Sequence, residues 1–439
     1  MNFTYKQIWL INYPVMMSLL IEQLINITDA IFLGHVGEVE LGASALAGIY
    51  YMAIYMLGFG FSLGLQVLIA RRNGEGRLTD TGRTFFQGVY FLLVLAVAVF
   101  VLSKLFSPLL LRSLIKSDDV YQAVVEYIRW RDYGFLFAFP VLAYRAFFVG
   151  ITKTGILTVN SIVMLVANIL FNYWLIFGKM GMPALGISGA AMASSLSGLV
   201  SLLFFVIYMC GRLPKDKYGL SATWDFQVLK ELFNLSFWTM VRSFFCVAPW
   251  FLFFIAIEHL GKSQLAVANV VRSISTIFFV VVNSFATTTS ALVSNLIGAG
   301  EGRSMFRLCG KILRLGYAIG LPLIIIAMLF NQQIIGFYTD NAELIELAQY
   351  PFIVMLLNYT FALPGYVFMN AVIGTGNTRI AFIFQISTIV VYLAYLYLLS
   401  YCFTTTLPVY LTAEYLFVIL LGVQSCAYLN ISGISKGMK

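Results

Sequence analysis

Long apolar segments recur along the whole chain, and they restrict its fold more than any other feature. The runs between glycine-, proline- and charge-rich breaks number about twelve, and each is long enough to cross a bilayer. They are continuous and do not alternate with polar residues, so they predict α-helices and not the strands of an outer-membrane barrel. The predicted fold class is therefore an all-α integral membrane protein. The predicted segments are 8–34, 44–71, 84–115, 126–152, 156–178, 186–210, 228–260, 266–297, 304–337, 345–375, 378–401 and 405–434.

Basic residues are distributed unevenly between the two sets of connections. Seventeen of the 27 Lys and Arg residues lie near the termini and the loops that follow even-numbered segments, and seven lie on the opposite side. The remaining three, Arg145, Arg242 and Arg272, lie within segments. Because basic loops stay inside, this excess predicts that both termini are cytoplasmic. The net charge of +8 thus reflects membrane topology and does not indicate a nucleic-acid partner.

An internal repeat becomes visible when the chain is shifted so that one of its two histidines, His35, falls on the other, His259. At this single shift, further landmarks coincide in four separate segments. Six segments per repeat give both halves the same orientation, which predicts two lobes related by a parallel pseudo-twofold axis. The lobes are predicted at 1–210 and 227–439, with a cytoplasmic inter-lobe loop at 211–226. The other coincident pairs include Gly74 with Gly298, Gly76 with Gly300, Pro140 with Pro364, and Gly150 with Gly374.

Four polar residues line one face of the first segment. Ser18, Glu22, Asn26 and Asp29 are spaced by four, four and three residues, as on one side of a helix. A carboxylate facing lipid costs at least about 2.5–3.5 kcal/mol, so this face must meet protein or water. A buried carboxylate either takes up a proton or binds a cation, and Glu22 and Asp29 are therefore candidates for ion coupling. The alternative is that each is paired with a polar neighbour for packing alone.

The fifth and sixth segments offer partners for these carboxylates. Asn168 and Asn172 lie one turn apart, and Ser194 follows in the next segment. Carboxylate, amide and hydroxyl oxygens suit a hard cation, so Asp29, Asn168 and Asn172 are candidate ligands for Na⁺. Hydrogen bonding between helices explains the same amides and hydroxyl equally well.

The second half is poorer in acidic residues, but it carries Arg242 within its first segment. We expect Arg242 to pair with Glu22 or Asp29 across a cleft, and the alternative is contact with an anionic group of the substrate. Tyr133, Trp238 and Phe285, with Asn26 and Arg242, are the candidates for lining a substrate cavity.

Other motifs carry little chemistry. Gly58, Gly60 and Gly64 lie in an apolar run, where close helix packing explains them better than a dinucleotide loop. The five cysteines are scattered, without the spacing of a zinc site. No nucleophile, base or metal cluster stands near an interface, so an enzyme is not expected, and neither is a cofactor.

Several segments resemble the multidrug and toxic compound extrusion (MATE) family. DAIFLGHVGEVELGASALAG (29–48) is similar to the family's first-to-second helix signature, and NILFNYWLIFGKMGMPALGISGAAMASSLS (168–197) to its fifth-to-sixth helix stretch. In the second half, SFATTTSALVSNLIGAGE (284–301) and PGYVFMNAVIGTGNT (364–378) also agree. The resemblance extends over nearly the whole chain.

The resemblance implies a twelve-helix, two-lobe, V-shaped antiporter. In the family the first-helix aspartate couples transport to the ion, and Asp29 matches it. Asn168 matches the family's fifth-helix asparagine and Ser194 its sixth-helix hydroxyl, whereas Asn172 stands where an aspartate is common. Cys246 stands where many members carry a glutamate, so ion coupling is expected in the N-terminal half alone.

The expected function is export of organic compounds, cationic or amphiphilic, in exchange for inward H⁺ or Na⁺ by alternating access. The alternative is a flippase for lipid-linked oligosaccharides or lipids, for which Arg242 would contact pyrophosphate. The expected partners are a small organic substrate and the lipid bilayer, the expected oligomeric state is a monomer, and the expected location is the bacterial inner membrane.

Overall fold

The computed structural model describes residues 3–115, 117–181, 183–339, 341–401 and 406–432. Within these ranges the side chains at 38, 114, 259 and 262 are not described, so one of the two histidine landmarks, His259, lies outside the described side chains. The basic residues at the C-terminal end, within 433–439, also lie outside the described residues.

Helices account for all of the regular structure in the ranges described. Seventeen α-helices, with two short 3₁₀ turns, follow one another along the chain. They are α1 (Tyr5–Gly34), α2 (Glu38–Gly74), α3 (Leu78–Leu114), α4 (Asp118–Arg131), α5 (Tyr133–Gly150), α6 (Gly155–Phe177), α7 (Gly186–Arg212), α8 (Lys215–Tyr218), α9 (Phe226–Phe245), α10 (Ala248–Ile257), α11 (Lys262–Gly298), α12 (Met305–Leu329), α13 (Asn331–Gly336), α14 (Ala342–Leu357), α15 (Tyr359–Gly374), α16 (Thr378–Tyr401) and α17 (Leu407–Ile431).

Twelve stretches of helix in the described residues are long and apolar enough to cross a membrane, which confirms the predicted number. Each coincides with one predicted segment. The largest difference is in the fourth, where the apolar span is Tyr133–Gly150 and the preceding α4 is amphipathic. Two further spans are built from consecutive helices, Phe226–Ile257 from α9 and α10, and Ala342–Gly374 from α14 and α15.

The internal repeat reappears in the helix boundaries. At the shift that superposes the histidines, both ends of α2 fall on the ends of α11, and the end of α6 falls on the end of α16. The turns agree too, since Gly76 and Gly300 have φ angles of 76° and 74° after the two long helices α2 and α11. This left-handed conformation is readily adopted only by glycine, which explains why both positions carry it. The same sequence period therefore specifies the same succession of spans, although α1 corresponds to two helices, α9 and α10.

The chain divides into two compact units that do not follow the lobes along the chain. One unit is Met17–Phe244, here called the N-terminal unit, and the other, the C-terminal unit, joins Met1–Met16 to Phe245–Lys439. The start of α1 thus belongs with the second half, and α9 belongs with the first. The lobes at 1–210 and 227–439 stay a prediction about the repeat.

Close contacts explain both memberships. In the C-terminal unit, Asn12 of α1 donates to Ser284 Oγ at 3.3 Å and accepts from Thr288 Oγ1 at 2.9 Å, both on α11. In the N-terminal unit, Gly60 and Gly64 of α2 lie so near the α9 backbone that a Cβ on either would clash with Thr239 or Ser236. The close packing predicted for these glycines is confirmed.

Candidate functional site

Asp29 forms the centre of a polar cluster in the N-terminal unit. Its Oδ1 accepts a hydrogen bond from Asn172 Nδ2 at 2.6 Å, and its Oδ2 accepts one from Ser194 Oγ at 2.8 Å. The donors come from α6 and α7, and both are buried. The structure thus brings together the carboxylate, amide and hydroxyl that the sequence analysis singled out.

Asn168 joins the cluster through Asn172. The two amides lie one turn apart on α6, are 0% exposed, and are linked by a bond from Asn172 Nδ2 to Asn168 Oδ1 at 3.1 Å. Asn172 Oδ1 has no hydrogen-bond partner in the described part of the chain, whereas Asn168 also interacts with Asp29. An unsatisfied buried polar group costs about 1–3 kcal/mol, so the cluster retains unused bonding capacity beside the carboxylate.

A positive charge also acts on Asp29. Arg131, the last residue of α4, interacts electrostatically with it. The Arg131 guanidinium lies 4.1 Å from the centroid of the Tyr51 ring, which stacks on Phe135 at 4.3 Å. Arg131 could not be identified from the sequence, because nothing there distinguishes it from the other basic residues on the same side.

Glu22 has a different partner from the one expected. It forms an ion pair with Arg145 of α5, and the two side chains are 32% and 20% exposed. Arg145 is thus a partner of Glu22 that the sequence did not indicate, and the pairing of Arg242 with Glu22 or Asp29 stays a prediction. Arg242 itself is 8% exposed on α9. Arg145, the partner of Glu22, was visible in the sequence as a basic residue within a segment. Its pairing could not be predicted, because residue spacing does not reveal which helices pack together.

The polar face of α1 meets protein at most of its positions. Ser18 Oγ and Ser161 Oγ lie 2.7 Å apart, and Glu22 and Asp29 have the partners described above. Asn26, a candidate for the substrate cavity, is exposed. The other three residues have partners within the protein, as the sequence predicted for this face.

The aromatic cavity candidates are divided between the two units. Tyr133 is 40% exposed, and its ring contacts Phe100 and lies 5.1 Å from the Lys104 ammonium. Trp238 is half-buried beside Phe237 in the same unit. Phe285 belongs to the C-terminal unit and is 0% exposed, so it presents no surface to a cavity in this structure.

A third carboxylate of the N-terminal unit, which sequence analysis missed, lies between two spans. Asp132 is 1% exposed; its Oδ2 accepts from Ser103 Oγ at 2.8 Å and lies 3.8 Å from Lys104 Nζ. Its Oδ1 has no partner among the described residues. Burial raises the pKa of Asp132 from 3.8 to about 6.

The side chains around Asp29 present hydrogen-bond donors to its carboxylate. Asn172 presents its Nδ2, a donor, to both Asp29 and Asn168, as groups do around an anion. A Na⁺ ion needs acceptor oxygens, so Asn172 would have to turn its amide. No group of three or more His, Cys, Asp or Glu residues that could hold a metal ion occurs in the described ranges.

Comparison with known proteins gives a consistent picture. The family described as MatE matches residues 14–174 and again 239–398. The double match agrees with the internal repeat, because each matched stretch covers most of one half. The chain is 25% identical over 309 residues to a probable multidrug resistance protein NorM from Agrobacterium fabrum, covering 69% of this chain and 66% of the relative. It is 24% identical over 343 residues to the multidrug resistance protein NorM from Aliivibrio fischeri, covering 76% and 73%.

Solved structures show the same fold. A crystal structure of MATE in complex with MaL6 superposes with a TM-score of 0.89 at 19% identity, over 98% of this chain and 97% of the other. A multidrug resistance MATE family transporter of the MOP superfamily, described in an outward-facing conformation, gives 0.90 at 19% identity and the same coverage. The all-helical architecture with twelve spans is thereby confirmed.

Proposed function

We propose that this chain, which belongs to the MatE family of membrane transporters, exports organic compounds in exchange for an inward cation, with Asp29 as the coupling carboxylate. As a member of this family it is a transporter and not an enzyme, as the sequence predicted. The proposed substrates are cationic or amphiphilic compounds, in line with the NorM relatives, which are named as multidrug resistance proteins.

The observation that carries this proposal is the bonding of Asp29 within the membrane-spanning α1. Both carboxylate oxygens accept hydrogen bonds from buried donors, and Arg131 adds a positive charge. These groups stabilise the ionised form, while the cost of a charge within the membrane favours the neutral form. A carboxylate held between such opposing effects can change its state when its surroundings change. Ion and substrate drive export only if they prefer different conformations.

We propose H⁺ as the coupling ion in preference to Na⁺. The cluster has a single carboxylate, because Asn172 stands where a second acid would strengthen a metal site. The charge of Arg131 opposes a second cation beside Asp29, and the Asn172 amide is turned to donate. Glu22 remains a proposed accessory site whose charge is balanced by Arg145. Transport that follows a pH gradient with Na⁺ held constant supports this choice, and dependence on a Na⁺ gradient at constant pH contradicts it.

Asp29→Asn tests the assignment directly. The change keeps the size of the side chain and removes the group that binds the proton, so we expect gradient-driven export of a cationic dye to be lost. The measurement is dye transport by inside-out vesicles after a pH gradient is imposed.

Glu126→Gln is the matched control. Glu126, which lies outside the spans, accepts a hydrogen bond from Ser188 Oγ at 2.6 Å, a carboxylate–serine contact like that of Asp29. This variant should transport like the wild type. Full gradient-driven export by Asp29→Asn would overturn the proposal.

The flippase alternative gains no support from the comparisons. Arg242, its main argument, is buried on α9 in the unit that contains Asp29. The inner membrane as location fits the bacterial NorM relatives. The cytoplasmic position of the termini and the monomeric state stay predictions.

A further inference from the structure

A buried carboxylate lies in the C-terminal unit, although the sequence predicted ion coupling in the N-terminal half alone. Glu414 is the only acidic residue of α17, lies within the span Leu407–Ile431 and is 8% exposed. An ionisable residue inside a span carries a large desolvation cost and commonly marks a proton or ion pathway.

A phenol contacts this carboxylate directly. Tyr392 of α16, which is 0% exposed, donates from Oη to Glu414 Oε1 at 2.8 Å. Its ring packs edge-on against Phe417 with a centroid distance of 5.7 Å. A phenol can donate to a carboxylate and can accept from a carboxylic acid, so this hydrogen bond can persist in both protonation states.

A cation faces the carboxylate without forming an ion pair with it in the described structure. Arg272 of α11 interacts electrostatically with Glu414. Its guanidinium lies 5.0 Å and 5.2 Å from the ring centroids of Trp250 and Phe254 on α10. Because Arg272 has aromatic contacts of its own, Glu414 can lose its charge without leaving the arginine unsupported.

The other helices around α17 add no further charge at Glu414 among the described residues. From α15, Tyr366 interacts with Tyr392. From α14, the titratable group that interacts with α17 is Tyr350, and its partner is Tyr415. The charge state of Glu414 therefore depends on its burial first, and then on Tyr392 and Arg272.

The repeat places this cluster at the position that corresponds to the Asp29 site. The shift that puts His35 on His259 also puts Asn168 on Tyr392. Asp29 then falls on Phe253, between the two aromatic residues that contact Arg272. The carboxylate comes from a different helix, since Glu414 corresponds to Ala190. The equivalent place in each half thus contains an acid, supplied once by α1 and once by α17.

We propose that Glu414, Tyr392 and Arg272 form a second membrane-embedded proton-binding site in the C-terminal unit, separate from Asp29. One proton from water binds a Glu414 oxygen, and no other bond changes. A proton fits this site and Na⁺ does not, because Arg272 repels a metal cation and no second carboxylate is present among the described residues around it. The part of this site in coupling rests on the proposed function, whereas its ability to bind a proton does not.

Infrared difference spectroscopy on the purified full-length protein tests proton binding. The carbonyl band of protonated carboxylic acids is followed as the pH is changed. We expect Glu414→Gln to remove one component of this band, while Asp29→Asn leaves that component in place. The matched control is Glu346→Gln, an exposed acid of the same unit, which should leave it unchanged.

A second variant covers the case in which Glu414→Gln does not fold. Tyr392→Phe keeps the carboxyl group and removes its donor, which should shift the titration midpoint of the component by about one pH unit. A band unaffected by Glu414→Gln, or an unchanged midpoint in Tyr392→Phe, overturns the proposal. Neither result depends on dye export by Asp29→Asn, so this inference and the proposed function can fail separately.

Discussion

Asp29 and Glu414 are both carboxylates enclosed by helices, but they are stabilised differently. Asp29 is bonded by an amide and a hydroxyl, with Arg131 nearby, whereas Glu414 is bonded by one phenol, with Arg272 nearby. Two neutral donors on separate oxygens favour an ionised carboxylate more than the single phenol at Glu414 does. The two halves therefore share the arrangement of their spans, but different side chains surround the buried carboxylate in each half.

The contact of α1 with α11 and the corresponding contact of α9 with α2 also differ in their side chains. Asn12 of α1 contacts Thr288 through a hydrogen bond, and the corresponding positions are Ser236 on α9 and Gly64 on α2. The contact between α1 and α11 is a hydrogen bond, whereas α9 approaches α2 closely because Gly64 has no side chain. Equivalent helix contacts are thus reached by different side chains, and we expect the two halves to respond differently when those side chains are changed.

Removing Arg145 should have the largest effect on the N-terminal unit. Arg145→Leu leaves Glu22 without its partner inside the protein, and we expect a loss of about 3 kcal/mol in the free energy of unfolding. Denaturation of the detergent-solubilised protein measures this loss. The double variant with Glu22→Leu should recover most of it. The exposed pair Arg112–Asp118 gives the control, because Arg112→Leu should change stability by under about 1 kcal/mol. Equal losses for both arginines would show that Glu22 does not need Arg145.

Asn172→Leu sharpens the comparison at Asp29. The variant removes a hydrogen bond to a charged group, worth about 2 kcal/mol, which corresponds to a reduction in export of roughly 30-fold. Dye transport at fixed pH gradient is the measurement. Asn160→Leu is the matched control, because Asn160 bonds Ser201 between the same helices, α6 and α7, at 2.9 Å. If both variants reduce export equally, the amides act only by joining helices.

Asp132 should make stability depend on pH. Burial raises its pKa from 3.8 to about 6, so the folded protein binds this proton more tightly than the unfolded chain does. The stabilisation is fully present below about pH 4 and is lost as the pH rises through about 6. The free energy of unfolding of Asp132→Asn should therefore exceed that of the wild type by up to about 3 kcal/mol at pH 8, and the difference should vanish at low pH. The exposed Asp118→Asn serves as the control, and a pH-independent difference would contradict the account.

The smallest effect on stability is expected from removing the charge of Glu231, near the N-terminal end of α9. The distribution of basic residues predicts that this end is cytoplasmic. Arg72 NH2 lies 3.0 Å from Glu231 Oε2, but the glutamate side chain is 57% exposed. Glu231→Gln should therefore cost under about 1 kcal/mol, and the cost should fall with added salt. Replacing Gly64 by Val should cost far more, because its missing side chain allows α9 to approach α2. A large, salt-independent loss in Glu231→Gln would mean that charge and not close packing joins these helices.

Much of the fold could be predicted from the sequence, because crossing a bilayer is a constraint on composition and length. Twelve apolar segments and their helical form follow from the need to satisfy backbone hydrogen bonds in lipid. The polar face of α1 could also be predicted, because helical spacing places Ser18, Glu22 and Asp29 on the same side of the helix. Glu414 could have been found by the same rule, as the one acid of an apolar segment.

The sequence by itself determined the number of spans, the internal repeat and the residues that must avoid lipid. Only the tertiary structure decided their partners: Asn172 and Ser194 for Asp29, Arg145 for Glu22, and Tyr392 for Glu414. The physical reason is that spacing along a helix states which side chains share a face, while the choice of facing helix depends on packing between segments far apart in the chain. Arg145 illustrates the difference, because its charge and its place within a segment were visible in the sequence, but its partner Glu22 was not.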